Sequence, residues 1–262
     1  MEPVFVAQDG REFLHYTSTI YVNGDQIVKR PINGVVAEFN RGQFFHLLAP
    51  MYSPGPVYRF KAGGIPYLLM NHAGEPIDPC TTDKLERTIG FLQTLHCMML
   101  VDGKMGMHDM RPWHLLKTNK GADVQFRFAH VGSWIIAKGP ESRDGLWRSN
   151  ARMVERLWAE IGMREYDIKH SIHKKMQCLY YEYDAEDSAE QVADAFIGCA
   201  KCAIKDYTRK YGKDKKPPQM DTLYKEMRNI RACMGKIIPK RTPVEGGMML
   251  EFPDGIQQFL HK

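Results

Sequence analysis

The spacing of apolar residues changes once along this chain of 262 residues, and that change limits the fold more than any other feature. Residues 16–22 (Tyr-Thr-Ser-Thr-Ile-Tyr-Val) are β-branched and aromatic, as in a strand, and a tight-turn signal, Asn-Gly-Asp, follows at 23–25. From Asp83 onward, apolar residues recur with the 3.6-residue period of an amphipathic helix. We therefore predict an α+β fold with a strand-rich beginning and a helix-rich remainder.

The first 72 residues predict a small antiparallel sheet with one helix. The strand and turn described above form a hairpin whose second strand carries Lys29. Residues 35–48 place apolar side chains along one helical face, and a proline at position 50 ends that helix. Two short apolar runs at 57–60 and 67–70 are separated by Ala-Gly-Gly and predict a second hairpin.

The remaining residues predict four long amphipathic helices, which cover residues 85–99, 147–161, 188–203 and 220–234. Asp83 and Glu86 form a capping pair at the start of the first helix. Apolar residues near the end of the chain indicate that this tail packs against the rest. We therefore divide the chain into an N-lobe of residues 1–72 and a larger, helical C-lobe of residues 73–262.

Composition excludes disordered and fibrous classes, because 44% of the residues are hydrophobic and 26% are charged. The six cysteines are scattered through a chain large enough to fold without disulfides, so we expect them to be reduced, with Cys199 and Cys202 packed on a helix. The chain shows neither a secretory signal nor an apolar run of about 18 residues. We expect an intracellular protein, cytoplasmic or nuclear, that does not contact a membrane.

The chain carries a mild basic excess, with 36 Lys and Arg residues against 31 Asp and Glu residues. Much of that excess lies at 209–218, a stretch closed by two prolines. We interpret this stretch as a solvated loop, which makes nucleic acid an unlikely partner on sequence grounds.

The segment between the first two long helices carries the most information about function. It reads Met-His-Asp-Met-Arg-Pro-Trp-His-Leu-Leu at 107–116 and His-Val-Gly at 130–132. These residues resemble the catalytic loop and the Asp-Phe-Gly motif of the protein-kinase-like superfamily, whose loop has an Asn five positions after its Asp. Asp109 matches the Asp. His114 stands at the position of the Asn, and His130 stands at the first position of Asp-Phe-Gly.

Other parts of the chain fit the same resemblance, which is closest to the aminoglycoside and choline phosphotransferase-like branch. The resemblance implies a two-lobed kinase-like fold, with Lys29 as the phosphate-pairing lysine, Glu38 as its helix partner and Asp109 as an actual or vestigial base. Residues 67–77 resemble the hinge between the lobes. The implied nucleotide-binding residues are Thr17, Ser18, Thr19, Lys29, Glu38, Met70, Asn71 and His72.

The sequence departs from that family at the metal site. Magnesium needs oxygen ligands, whereas both expected ligand positions, His114 and His130, carry imidazole. The stretch that corresponds to the glycine-rich loop, 15–20, contains no glycine. We therefore predict a pseudokinase-like binding or regulatory protein with weak or absent magnesium-dependent phosphotransfer. Its ligands would be an unidentified protein partner and, weakly, ATP or GTP.

Two alternatives stay open at this point. In the first, the protein is an active, atypical phosphotransferase that uses a nucleotide, and His114, His130 and Asp109 hold manganese or zinc, which imidazole favours. In the second, the resemblance is only architectural and the chain is an unrelated α+β protein. Trp113 lies in the loop and either stacks on a ligand ring or fills the cleft.

Overall fold

Strands dominate the chain up to residue 71, and helices dominate most of the remainder. The computed structural model describes residues 12–15, 18–31, 34–120, 123–139, 143–169, 172, 189–252, 255 and 257–261. The α+β fold class is confirmed, with a β-rich N-terminal region followed by a helical C-terminal region. The division of the chain at residue 72 stays a prediction.

The N-terminal region is built on one antiparallel sheet. Its strands are β1 (Glu12–His15), β2 (Ser18–Asn23), β3 (Gln26–Pro31), β4 (Tyr58–Ala62) and β5 (Ile65–Asn71), in the spatial order β1-β2-β3-β5-β4. The predicted first hairpin is β2–β3, and its turn has two residues because Asn23 pairs with Gln26. Gly24 has a φ of 56°, a left-handed conformation that glycine adopts at no steric cost.

Helix α1 (Val35–Leu48) connects β3 to β4 and ends just before Pro50, as predicted. A Cβ at Gly42 would lie 2.7 Å from Val57 Cγ2, so the glycine allows the helix to approach the start of β4. On another side of the helix, Phe45 is fully buried and packs edge-on against Trp134, with 4.9 Å between ring centroids. Helix α1 therefore contacts both the sheet region and the C-terminal core.

Among the described residues of the C-terminal region, the helices of eight residues or more are α2 (Lys84–Leu100), α3 (Arg143–Glu160), α4 (Ala189–Phe196), α5 (Gly198–Tyr211) and α6 (Gln219–Ile237). Helix α2 is buried along most of its length. Its predicted cap is present, because the Asp83 carboxylate accepts from the Glu86 N–H at 2.8 Å. The Glu86 carboxylate does not return to the cap and instead accepts from Lys117 Nζ at 2.7 Å.

Short strands hold the two motif segments in place. They are β6 (Glu75–Pro76), β7 (Met105–Gly106), β8 (Leu115–Lys120), β9 (Asp123–Phe128) and β10 (Ile135–Ile136). One sheet has the order β6-β8-β9, and β7 pairs with β10. Residues 107–114 therefore lie between β7 and β8, and residues 130–132 lie between β9 and β10.

Two sequence predictions for the C-terminal part are wrong in detail. The single helix expected over 188–203 is two helices, α4 and α5, interrupted at Ile197 where the poor helix former Gly198 follows. Ser188, its expected cap, lies outside the described residues. The end of the chain is also not helical, since β11 (Lys240–Val244), β12 (Gly247–Glu251) and β13 (Gln257–His261) form an antiparallel sheet.

The predicted packing of this tail is confirmed for Leu250 and Phe252, which are buried. Of the five cysteines that the structure describes, Cys97 and Cys199 are buried, Cys233 is partly buried, and Cys80 and Cys202 are exposed, all with free thiols. The predicted packing is therefore confirmed for Cys199 and wrong for Cys202. Cys178, the sixth, lies outside the described residues. Within the described part of the chain, no helix combines the length and apolar character that crossing a membrane requires.

Candidate functional site

A buried ion pair joins the sheet to helix α1. Lys29 on β3 is 4% exposed, and its Nζ donates to Oε1 of Glu38 in the first turn of α1. Gly34 precedes the helix with a φ of 75° and its carbonyl accepts from the Glu38 N–H at 3.0 Å, which fixes the backbone beneath the carboxylate. The structure thus brings together the two residues that the resemblance pairs.

His130 approaches the same ammonium group. Its Nδ1 lies 3.2 Å from Lys29 Nζ. An ammonium group donates hydrogen bonds but never accepts them, so Nδ1 is the acceptor and the hydrogen of the neutral ring is on Nε2. Lys29 therefore has a carboxylate and an imidazole as its two partners, where the kinase resemblance expects a carboxylate in place of the imidazole.

The turn that carries His130 is attached to helix α1 by two further contacts. Arg41 donates from a guanidinium nitrogen to the Gly132 carbonyl. A Cβ at position 132 would lie 2.8 Å from Glu38 Cδ, so only glycine leaves room for the carboxylate at this point. The glycine of the His-Val-Gly triplet is therefore explained by packing against Glu38.

Asp109 lies on the exposed side of the candidate site. It is the single non-glycine residue with a positive φ, 49°, among the residues that the structure describes. Such a conformation costs on the order of 1 kcal/mol, and Asp tolerates it better than most residues. Its carboxylate is 45% exposed and lies 3.4 Å from Arg111 Nε, and Arg111 also pairs with Glu160 at 3.0 Å. Asp109 is thus held by its loop and faces solvent.

His114 connects the loop to the His-Val-Gly turn. Its side chain is buried, and its Nδ1 lies 2.9 Å from the Asp109 carbonyl oxygen. A carbonyl oxygen can only accept, so Nδ1 carries the hydrogen. The His114 and His130 rings lie 4.6 Å apart between centroids, tilted by 33°. The two residues predicted from separate motifs therefore meet in space.

The two histidines supply few metal ligands in this arrangement. His130 uses its Nδ1 lone pair for Lys29, and His114 uses its Nδ1 hydrogen for Asp109. When both rings are neutral, Nε2 of His130 carries a hydrogen and Nε2 of His114 carries a lone pair. In the described ranges, no group of three or more His, Cys, Asp or Glu side chains has the geometry of a metal site.

The predicted nucleotide-binding residues are only partly assembled. Met70 and Asn71 end β5 and pair with β3, and the His72 N–H donates to the Asp25 carbonyl at 2.8 Å. That backbone donor is therefore occupied. Thr17 lies outside the described residues, and Ser18 and Thr19 lie on β2, with side chains outside them.

A small cleft lies between α1, β5 and the residues on either side of His130. Its lining is largely apolar and includes Phe45, Leu68, Met70 and Phe128, with Glu38 at its edge. Trp113 does not fill this cleft. It is 55% exposed and contacts the His114 ring edge-on at 5.9 Å.

Sequence reasoning missed a second polar cluster, which we term the core network: Tyr52, Gln93, His96 and Glu226. The Tyr52 hydroxyl lies 2.6 Å from His96 Nδ1 and donates to Glu226 at 3.4 Å, while Gln93 donates to the other carboxylate oxygen at 3.3 Å. Burial lowers the pKa of His96, but hydrogen bonds with Cys233 and Glu226 raise it to about 9. Burial raises the pKa of Tyr52.

Comparison with known proteins gives little beyond this geometry. No family model matches the chain, and no curated protein matches it in sequence. Among solved structures, the chain resembles "WaaP in complex with acyl carrier protein", with 10% identity, a TM-score of 0.38 and coverage of 86% of this chain and 88% of that one. It also resembles a Rio2 kinase–ADP/Mg2+–phosphoaspartate complex from Chaetomium thermophilum, with 11% identity, a TM-score of 0.36 and coverage of 86% and 69%. At these TM-scores, the similarities assign no function.

Proposed function

We propose that this chain is a kinase-like binding or regulatory protein that carries out little or no magnesium-dependent phosphotransfer. The observation that carries the proposal is the contact of Lys29 with His130 at 3.2 Å. The position at which a kinase needs a carboxylate for magnesium holds an imidazole that accepts a hydrogen bond from a cation. A divalent ion at that position would be repelled by the ammonium and would find no oxygen ligand on His130.

The retained Asp109 is insufficient on its own. A positioned general base contributes about 10²- to 10⁴-fold to a rate, whereas enzymes accelerate reactions by roughly 10⁶-fold or more. In phosphoryl transfer the remainder comes mostly from positioning and from metal ions that neutralise the charge on the phosphoryl group. With His114 and His130 at the metal positions, that neutralisation is lost and Asp109 has little to assist.

The same contacts favour a binding role, because they join the sheet, α1 and the His-Val-Gly turn without a nucleotide. Lys29 and Glu38 connect the sheet to α1, and Arg41 connects α1 to the His-Val-Gly turn. A kinase-like chain held in one arrangement presents a constant surface to a partner. Exposed Trp113, with Ile135 and Ile136 on β10, provides apolar surface next to the loop, which suits a protein partner.

The test is a comparison of the natural chain with a variant that carries both His130→Asp and His114→Asn. Each protein is titrated with ATP and GTP in the absence of metal and with magnesium, manganese or zinc, and melting temperature and nucleotide hydrolysis are recorded. We expect no magnesium-dependent hydrolysis by the natural chain and measurable hydrolysis by the double variant. Strong magnesium-dependent turnover by the natural chain would refute the proposal.

The metal-dependent alternative has its own outcome in the same experiment. A melting shift in the natural chain that needs manganese or zinc and disappears in His114→Ala would point to a histidine-held metal. Nucleotide hydrolysis that needs the same ion would then support the atypical phosphotransferase. The binding proposal takes precedence because His130 Nδ1 already accepts from the Lys29 ammonium, which would repel a divalent ion.

A further inference from the structure

The basic excess of this protein is concentrated in one part of the chain. Residues 198–244 contain 13 Lys and Arg residues against four Asp and Glu residues, a net charge of +9. The other residues contain 23 basic and 27 acidic side chains, a net charge of −4. The formal charge of +5 thus conceals a strong asymmetry, which is typical of proteins with an anionic partner.

Twelve of the thirteen basic residues of this segment are exposed, and nine of those twelve form no ion pair in the described part of the chain. We term these nine the basic face: Lys205, Lys210, Lys213, Lys215, Lys216, Lys225, Arg228, Lys236 and Lys240, all exposed. On α6 the exposed Lys225, Arg228 and Lys236 recur at near-turn spacing over about 16 Å, while Leu223 and Ile230 are buried on the other side. The other six lie before and after α6 in the chain, five of them between Lys205 and Lys216 and one at Lys240.

Little of this charge is used within the fold, although Lys210 Nζ lies 5.0 Å from the centroid of the Tyr211 ring. Of the four acidic side chains of the segment, Asp206 pairs with Lys84 and Arg209, and Glu226 lies in the core network. Asp214 and Asp221 are exposed beside the cations. Within the part of the chain that the structure describes, none of the nine residues of the basic face forms an ion pair. Their mutual repulsion is unfavourable unless an anion lies against them.

The shape of the surface decides between anionic partners. An amphipathic helix that lies on a membrane inserts an apolar face into the lipid, but the apolar face of α6 is buried in the protein core. Large exposed apolar side chains in this segment are confined to Tyr211 and Val244, which lie before and after α6. A linear polyanion needs only the cations, because each step along its backbone carries a charge.

We propose that the basic face binds the phosphate backbone of a nucleic acid. Sequence reasoning considered residues 209–218 alone and favoured a solvated loop. The structure adds the exposed side of α6 and the start of β11 to that loop. This binding is independent of the cleft, so it stands or falls separately from the pseudokinase proposal.

The experiment measures fluorescence anisotropy of a labelled 20-nucleotide single strand and of a 20-base-pair duplex as a function of salt. The variant Lys225→Glu, Arg228→Glu, Lys236→Glu reverses three charges on α6. A matched variant, Lys61→Glu, Lys104→Glu, Lys138→Glu, makes the same change in net charge on exposed residues elsewhere. We expect dissociation constants on the order of 1–100 μM for the natural chain, a loss of at least about tenfold in the α6 variant and less than about threefold in the control.

The test also measures how binding depends on salt and whether the protein binds phosphatidylserine vesicles. The slope of log K against log salt is expected to fall by about 2–3 in the α6 variant, because each lost phosphate contact removes about 0.7 to 0.9. A melting curve checks that each variant is folded. A second variant, with Lys213→Gln, Lys215→Gln and Lys216→Gln, removes three charges outside α6 and is expected to lose affinity for nucleic acid as well. No binding at low salt, equal losses in the α6 and control variants, or tighter α6-dependent binding to phosphatidylserine vesicles would each overturn the proposal.

Discussion

The core network and the cluster around Lys29 both bury charged groups between distant segments, but they differ in what remains open. In the core network, the side chains of His96 and Glu226 are 5% and 3% exposed, and hydroxyl and amide partners surround the charges. In the cleft, Glu38 is 15% exposed and lies at the edge of a cavity. A fully enclosed network stabilises one structure, whereas a cluster at a cavity wall keeps access to a ligand.

The core network and the cluster around Lys29 also lie in different dielectric environments. Charges away from water interact more strongly and depend more on each partner than charges near a solvent-filled cleft. We therefore expect substitutions in the core network to change stability first, and substitutions in the cleft to change stability less and binding more. The following predictions test that contrast, from the largest expected effect to the smallest.

Glu226→Ala is expected to have the largest effect. It leaves the charged His96 buried without a carboxylate, and such a loss costs about 3–5 kcal/mol in the free energy of unfolding. Urea denaturation measures it, and Glu245→Ala, an exposed control, should stay within about 0.5 kcal/mol. A change below 1 kcal/mol for Glu226→Ala would remove the distinction between the two regions.

The pH dependence of stability is the second prediction. Because the pKa of His96 is about 9 in the folded state and about 6.5 in an unfolded chain, the folded state binds the proton more tightly. The stabilisation is complete below about pH 6.5 and is lost as pH rises through 9, an effect of about 3 kcal/mol. Denaturation from pH 6 to 10 should show this loss in the natural chain, and His96→Gln should lack it.

The ion pair in the cleft is expected to contribute less. A double-mutant cycle with Lys29→Met and Glu38→Gln should give a coupling energy of about 2 kcal/mol, since Lys29 keeps His130 as a partner and Glu38 is partly hydrated. Chemical denaturation of the four proteins measures the coupling. A coupling as large as the loss in Glu226→Ala would mean that the cleft is as rigidly enclosed as the core.

Gly132→Ala is the smallest and most local change. Its Cβ would press on Glu38 and displace the carboxylate from Lys29, which we expect to cost about 1–2 kcal/mol. Gly145→Ala is the matched control, because nothing lies within 4 Å of a Cβ at that exposed helical position. The control should be neutral or stabilising by up to about 1 kcal/mol in thermal denaturation, and an equal loss in both variants would contradict the packing explanation.

Local patterns predicted the elements that depend on neighbouring residues. The turn at Gly24, the helix α1 and the Asp83 cap each need only a few adjacent positions, and the structure has all three. The resemblance also singled out His114 and His130, whose rings lie together because β8 and β9 pair from Leu115 and Phe128 onward. What these residues bind stays a prediction.

Features that depend on distant partners could not be predicted. In the sequence, Glu226 is an ordinary polar residue of a helix. It lies 130 residues after His96, and the two meet because α6 packs on α2. The C-terminal sheet was not predicted, because its strands are short and Pro243 interrupts the alternation of apolar and polar residues. Glu245-Gly246 is nevertheless a two-residue turn signal between β11 and β12. The basic face was similarly divided between a loop, a helix and a strand.

The core network has a consequence for the order in which the chain becomes stable during synthesis. Helix α2 leaves the ribosome long before α6, and at about 5–20 residues per second the 130 residues between His96 and Glu226 take roughly 6 to 26 seconds to add. During that interval α2 lacks the helix against which it packs in the finished protein. A nascent chain that stops before residue 219 should therefore expose apolar surface and engage chaperones, and release of α6 should end that dependence.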